Sequence, residues 1–146
     1  MIYIGIDTGV KTGLAVWSCR AQKFLEIKTL KLHQAMRSVR QYKTAAEAGF
    51  YKGLIVRFED ARLRKWYGSN SNTKLQGAGS IKRDAKIWED YLTDMMITFE
   101  AVAPAKGMTK MSPDPFKALT KWQEKTSEHS RDAALLVFGL KNKNEI

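Results

Sequence analysis

Cysteine, proline, acidic charge and long apolar runs are all scarce in this chain. Cys19 is the only cysteine, which excludes an internal disulfide and a zinc-binding thiolate cluster and suits a reducing compartment. The three prolines cluster between positions 104 and 115, together with Gly107, and mark a surface loop there. No stretch approaches the roughly 18 apolar residues of a membrane span, and no basic region precedes an apolar one at the N-terminus, so neither a span nor a signal peptide is expected. An intracellular, cytoplasmic protein with no membrane partner is the expectation. Acids are outnumbered: 15 Asp and Glu face 25 Lys and Arg, for a net charge of +10 and a pI near 9.8. Positive charge can serve solubility alone, but an excess of this size on a short chain points to a polyanion, and above all to nucleic acid. Charge by itself does not separate DNA from RNA.

Against these absences stand 44% apolar residues, with four Trp and six Phe, enough to bury an ordinary core. The opening residues, MIYIGID, read as a buried strand that delivers Asp7 to its carboxyl end. Thr8 to Gly13, TGVKTG, reads as a two-glycine turn leading to a second strand. An acid beside exposed backbone suits a metal ion or a phosphate. Actin-like kinases and chaperones also open with an Asp and Gly turn, but they need two such domains around a nucleotide. At roughly 100–200 residues per domain, this chain allows one.

Residues 2–7 and 13–18 read as paired strands, and Phe24 to Leu30 as a third. From Leu32 to Phe50, apolar Leu32, Met36, Val39, Ala46 and Phe50 recur at helical spacing. Leu54 to Phe58 is a short apolar run that ends at Glu59 and Asp60, so a second strand also ends in carboxylates. Residues 66–79 read as a loop, irregular at least to Asn72, that runs into a helix over 73–96. Ile81, Ala85, Trp88, Leu92 and Met95 mark one face of that helix, with Trp88 and Met95 assigned to core or dimer interface. Ile97 to Val102 reads as a strand and Asp114 to Trp122 as a short helix. A last helix runs to Leu140, with Ser127 as its cap. The sum is one α/β domain over 1–146, a mixed five-stranded sheet flanked by helices.

The last helix carries Glu128-His129-Ser130-Arg131-Asp132. His129 and Asp132, three apart, project from one face and can meet a common ion. Acids in a first helical turn also simply complement the helix dipole, so this motif draws its weight from agreement with Asp7 and Glu59. Neighbouring strand residues face opposite ways, so Glu59 and Asp60 cannot both face one ion. Asp60 is expected to pair with Arg62 or Arg64.

Taken together, GIDTGVKTGLAV, VRFEDAR and EHSRDAALL resemble the RuvC-type Holliday junction resolvases of the RNase H-like superfamily, and the short chain looks more like the phage-encoded members. The YqgF type, linked to ribosomal RNA processing, shares the opening turn but lacks the fourth-strand Glu. The resemblance implies an RNase H-like fold and assigns both metal binding and catalysis to Asp7, Glu59, His129 and Asp132. His129 is then a ligand or a water-orienting base. Clustered carboxylates repel unless a cation neutralises them. Mg²⁺ or Mn²⁺, as a pair about 4 Å apart, would activate a water and stabilise the leaving 3′-oxygen, giving 5′-phosphate and 3′-hydroxyl ends.

For DNA contacts, Lys106, Lys110 and Lys117 are the phosphate candidates, in a region where the family carries functional lysines. Trp66 and Tyr67 are candidates for stacking on bases exposed at a branch point, with core packing equally open. A four-way junction has approximate two-fold symmetry and needs two cuts, which calls for a homodimer; the family places the 73–96 helix at its interface. Two other functions stay in view: a broader nuclease acting on forks, flaps or RNA with the same residues, and a non-catalytic basic module whose acids are caps and salt-bridge partners. An actin-like ATPase would instead hydrolyse ATP without DNA.

Overall fold

A computed structural model describes residues 1–63, 71–104 and 110–143, with the backbone alone for 71–78. Trp66, Tyr67, Arg64 and Lys106 lie outside the described residues. The elements are β1 (Ile2–Asp7), β2 (Lys11–Ser18), β3 (Lys23–Lys31), α1 (Leu32–Glu47), β4 (Leu54–Glu59), α2 (Ser71–Asp94), β5 (Phe99–Val102), α3 (Pro113–Thr120) and α4 (Glu128–Leu135). The strands form one five-stranded mixed sheet in the order β3-β2-β1-β4-β5. β2 runs antiparallel to β1 and β3, whereas β4 runs parallel to both β1 and β5. The chain is therefore α/β, as its alternation of patterns predicts.

Alternation within the strands divides the core into two halves. On one face Ile2, Ile4, Ile6, Leu14, Val16, Val56 and Phe58 meet Ala35 and Val39 of α1 and Ala85, Trp88 and Leu92 of α2. On the other, Tyr3, Ala15, Trp17, Phe24, Ile27 and Ile55 meet Phe116 of α3 and Ala133 and Ala134 of α4. The result is a three-layer sandwich, helices on both sides of the sheet. Among the described residues no helix is long and apolar enough to cross a membrane.

Several boundaries differ from the pattern reading, each for a tertiary reason. β2 starts at Lys11, because Lys11 to Gly13 pair with the end of β3, and Gly13 also pairs with Asp7. Gly13, the expected first residue of this strand, is thus its third. α1 stops at Glu47 and Gly49 takes a positive φ, so Phe50 leaves the helix and stands 78% exposed instead of continuing the apolar face. α2 already begins at Ser71, two residues before the expected helix start. Ile81 is exposed on it, while Ala85, Trp88 and Leu92 are fully buried.

Candidate active site

Asp7 ends β1 and Glu59 ends β4, and the last paired residues before them, Ile6 and Phe58, are register partners. The two acids are therefore the next positions on neighbouring parallel strands. Ile6 and Phe58 both point into the core beneath α1 and α2, so alternation turns Asp7 and Glu59 to the opposite face, where α4 packs. Arg57, two residues before Glu59, confirms the direction: its Nε donates to the Leu136 carbonyl just past α4, at 2.9 Å. From β1 the strand order runs to β2 and β3 on one side and to β4 and β5 on the other. The carboxyl ends of β1 and β4 meet where the order reverses, the usual place for a site in an α/β sheet.

α4 reaches that place because two strand positions have no side chain. A Cβ at Gly13 would overlap the His129 carbonyl oxygen, and one at Gly5 would overlap that of Ala133. Gly13 is the register partner of Asp7, so the backbone of His129 is seated beside the Asp7 carboxylate. Ser127 closes the N-terminus of the helix, its Oγ accepting from the Ser130 N–H at 3.1 Å while Ser130 Oγ accepts from the Ser127 N–H at 2.9 Å. The sequence reading of Ser127 as the cap holds.

With the helix so placed, His129 Nδ1 is 2.8 Å from Asp7 Oδ2. Opposite an ionised carboxylate Nδ1 is the donor, and in the neutral imidazole Nε2 is then the acceptor. The Asp7 carboxyl is raised above the ordinary aspartate range, first by burial and then by the charge of Asp132, while the bond from His129 pulls the other way. Asp132, one turn along α4, therefore belongs to the same electrostatic neighbourhood. Its Oδ2 accepts from Lys110 Nζ at 3.1 Å, and Glu128 Oε1 stands 2.7 Å from the same ammonium. The two carboxylates hold the Lys110 pKa well above the lysine range, Glu128 first. Lys110, expected on a phosphate, is thus bound to acids, while Lys117 lies exposed on α3.

Asp60 has a different role. It is 2% exposed, and its carboxylate accepts from Arg62 Nη2 at 2.7 Å, from Arg62 Nε at 2.9 Å and from the Arg62 backbone N–H at 2.9 Å. Arg62 also pairs with Glu89 of α2. The expectation that Asp60 partners a nearby Arg holds. The Arg62 hydrogen bonds, above all, keep its carboxyl below the usual carboxylate range. This contribution to stability is then fully present above the unfolded-state pKa and is lost as pH falls through the depressed folded one. Removing one partner of a buried pair costs several kcal/mol, less here because Arg62 is partly exposed. Asp60→Ala is expected to lose about 2–3 kcal/mol at pH 7. Urea midpoints measured from pH 7 to pH 3 should show the gap to wild type closing with acid.

Arg131 is a site residue that the motif reading passed over. Only 8% exposed, it donates from Nε to the Met111 carbonyl at 2.8 Å and from Nη1 to the Thr126 carbonyl at 3.1 Å. It fastens the segment that carries Lys110 to α4. An arginine between two candidate ligands on a helix is a signal the sequence holds, but the Met111 carbonyl that it fastens lies 20 positions back in the chain.

No protein-family model matches this chain, and no curated protein matches it in sequence. What the site can do is therefore argued from its own groups. Among the described residues no three His, Cys, Asp or Glu side chains gather in a group that could hold a metal ion. The fit to a divalent ion is one of chemistry and direction. Asp7, Glu59 and Asp132 offer hard oxygens, Glu59 being directed to the Asp7 face, and Asp7 is a carboxyl whose ionisation is opposed by burial and a neighbouring anion. A cation relieves that opposition.

Proposed function

We propose that this chain is an RNase H-like, metal-dependent and structure-selective DNA endonuclease that resolves four-way junctions by paired symmetric nicks. The observation that supports it most is the seating of α4 on Gly13, which brings His129 to 2.8 Å from Asp7. Glu59 ends the neighbouring strand on the same face, and Asp132 follows one turn along the helix. Asp7, Glu59 and Asp132 would hold Mg²⁺ or Mn²⁺, with His129 a further ligand or the base. When bound, such ions supply positive charge at a scissile phosphate and lower the pKa of a water. The protein supplies orientation. Asp7 fixes the ring of His129 through Nδ1, leaving Nε2 to accept a proton from a water in line with the phosphate. The products expected are a 5′-phosphate and a 3′-hydroxyl.

The net charge of +10 supports a polyanionic substrate. Lys117, with Lys106, would take phosphates, and Trp66 and Tyr67 would stack on bases at the branch point. Two copies related by a two-fold axis, meeting through α2, would place one site on each of two opposed strands. The test is a competition between a labelled four-way junction and linear duplex, in Mg²⁺, in Mn²⁺ and in EDTA. Metal-dependent cleavage confined to the junction is the expected result. Equal cleavage of forks, flaps or RNA would replace it with the broader nuclease, and binding without cleavage in either metal would leave a nucleic-acid-binding module.

A further inference from the structure

The Lys110 ammonium lies against an acid that the proposed function gives to a metal ion. Its Nζ is 3.1 Å from Asp132 Oδ2 and 2.7 Å from Glu128 Oε1. It is delivered there by a fixed backbone, since the neighbouring Met111 carbonyl is held by the buried Arg131 guanidinium at 2.8 Å. The side chain itself is 60% exposed, with solvent on one side and the acids on the other. A long, flexible lysine on an anchored backbone can leave its acids without disturbing the fold.

We infer that Lys110 is a tethered cation that neutralises Asp132 when no divalent ion is bound and competes with that ion for the same carboxylate. This rests on the reading of Asp7, Glu59, His129 and Asp132 as the metal site. A metal entering at Asp132 takes that carboxylate from the ammonium, which keeps only the solvent-facing Glu128 and stands at the rim of the site, within reach of a DNA phosphate. Metal loading and substrate contact are thereby coupled through one side chain. Without DNA, the lysine lowers metal affinity, because each ion bound must first break its contact with Asp132.

The experiment is calorimetric titration of Mn²⁺ into DNA-free protein, comparing wild type with Lys110→Gln, Lys110→Arg, Asp7→Asn and, as a control for general charge, Lys125→Gln on the loop before α4. Lys110→Gln is expected to tighten Mn²⁺ binding about three- to fivefold, in keeping with the loss of the one partly exposed ion pair that the metal must break. Lys110→Arg should stay near wild type and Asp7→Asn should lose most of the binding. If Lys110→Gln binds no tighter than wild type while Asp7→Asn still weakens binding, the tether is wrong and the metal site stands. Equal tightening by Lys125→Gln would also overturn it, as a diffuse charge effect. If no variant and not even wild type binds Mn²⁺, the metal site falls, and the tether with it.

Discussion

Replacing Gly13 by alanine is expected to lift α4 from the sheet, lowering stability by about 3 kcal/mol and the melting temperature by roughly 10 °C. The added Cβ would overlap the His129 carbonyl oxygen. Overpacking is cheapest where a flexible side chain can swing aside, and here the obstacle is helix backbone. That backbone is held at one end by Ser127 and Arg131 and just beyond the other by Arg57. The helix must therefore shift as a unit. Because Gly13 is the register partner of Asp7, the shift also takes His129 from Asp7, and activity should fall further than the unfolded fraction explains. Thermal denaturation followed by circular dichroism reads the first effect, and cleavage well below the melting temperature reads the second. A variant that melts within about a degree of wild type would mean that α4 does not rest on Gly13.

Asp7→Asn is expected to make the protein more stable and to abolish its cleavage. The Asp7 carboxyl is raised by burial and by Asp132, so its ionised form costs stability in the fold. For a carboxyl raised in this way, stability is greatest below its unfolded pKa and declines as pH rises through the folded one. The amide keeps the shape and can donate to His129, so in EDTA at neutral pH the melting temperature should rise on the order of 2 °C. The advantage should shrink as pH falls and the wild-type carboxyl is protonated. Saturating Mn²⁺ should reverse the order, because an ion that binds only the folded wild type stabilises it by mass action, about 2.7 kcal/mol at a hundred times its dissociation constant. Single-turnover cleavage should fall about 10³-fold or more, several kcal/mol of lost charge stabilisation at about 1.4 kcal/mol per decade. Were Asp7 merely a structural partner of His129, the variant would be less stable in EDTA and indifferent to Mn²⁺.

The strand ends and the helix cap were readable because their signals are local. Apolar runs closing on Asp7 and Glu59, Ser127 ahead of a helix, and Asp60 two residues from Arg62 all lie within a few positions of their causes. Two features were not readable. Gly13 reads as the junction of a turn and a strand, and nothing local marks it as the seat of α4; what does so is His129, 116 positions further along the chain. Lys110 reads as a phosphate contact in a proline-flanked loop, and the two acids that hold it lie on another element. Phe50 and Ile81 kept helical spacing yet are exposed. Periodicity records which face a residue would share, not where the helix ends, as it does before Phe50, nor whether a neighbour covers that face.

The central claim is that Asp7 and its neighbours form a metal-dependent phosphodiesterase site. Its most direct test is cleavage of one labelled four-way junction by wild type and by Asp7→Asn, in Mn²⁺ and in EDTA. Paired symmetric nicks with 5′-phosphate ends, seen for wild type in Mn²⁺ alone and missing from a variant that remains folded and still binds the junction, are the predicted result. Cleavage that persists in EDTA or in Asp7→Asn would contradict it.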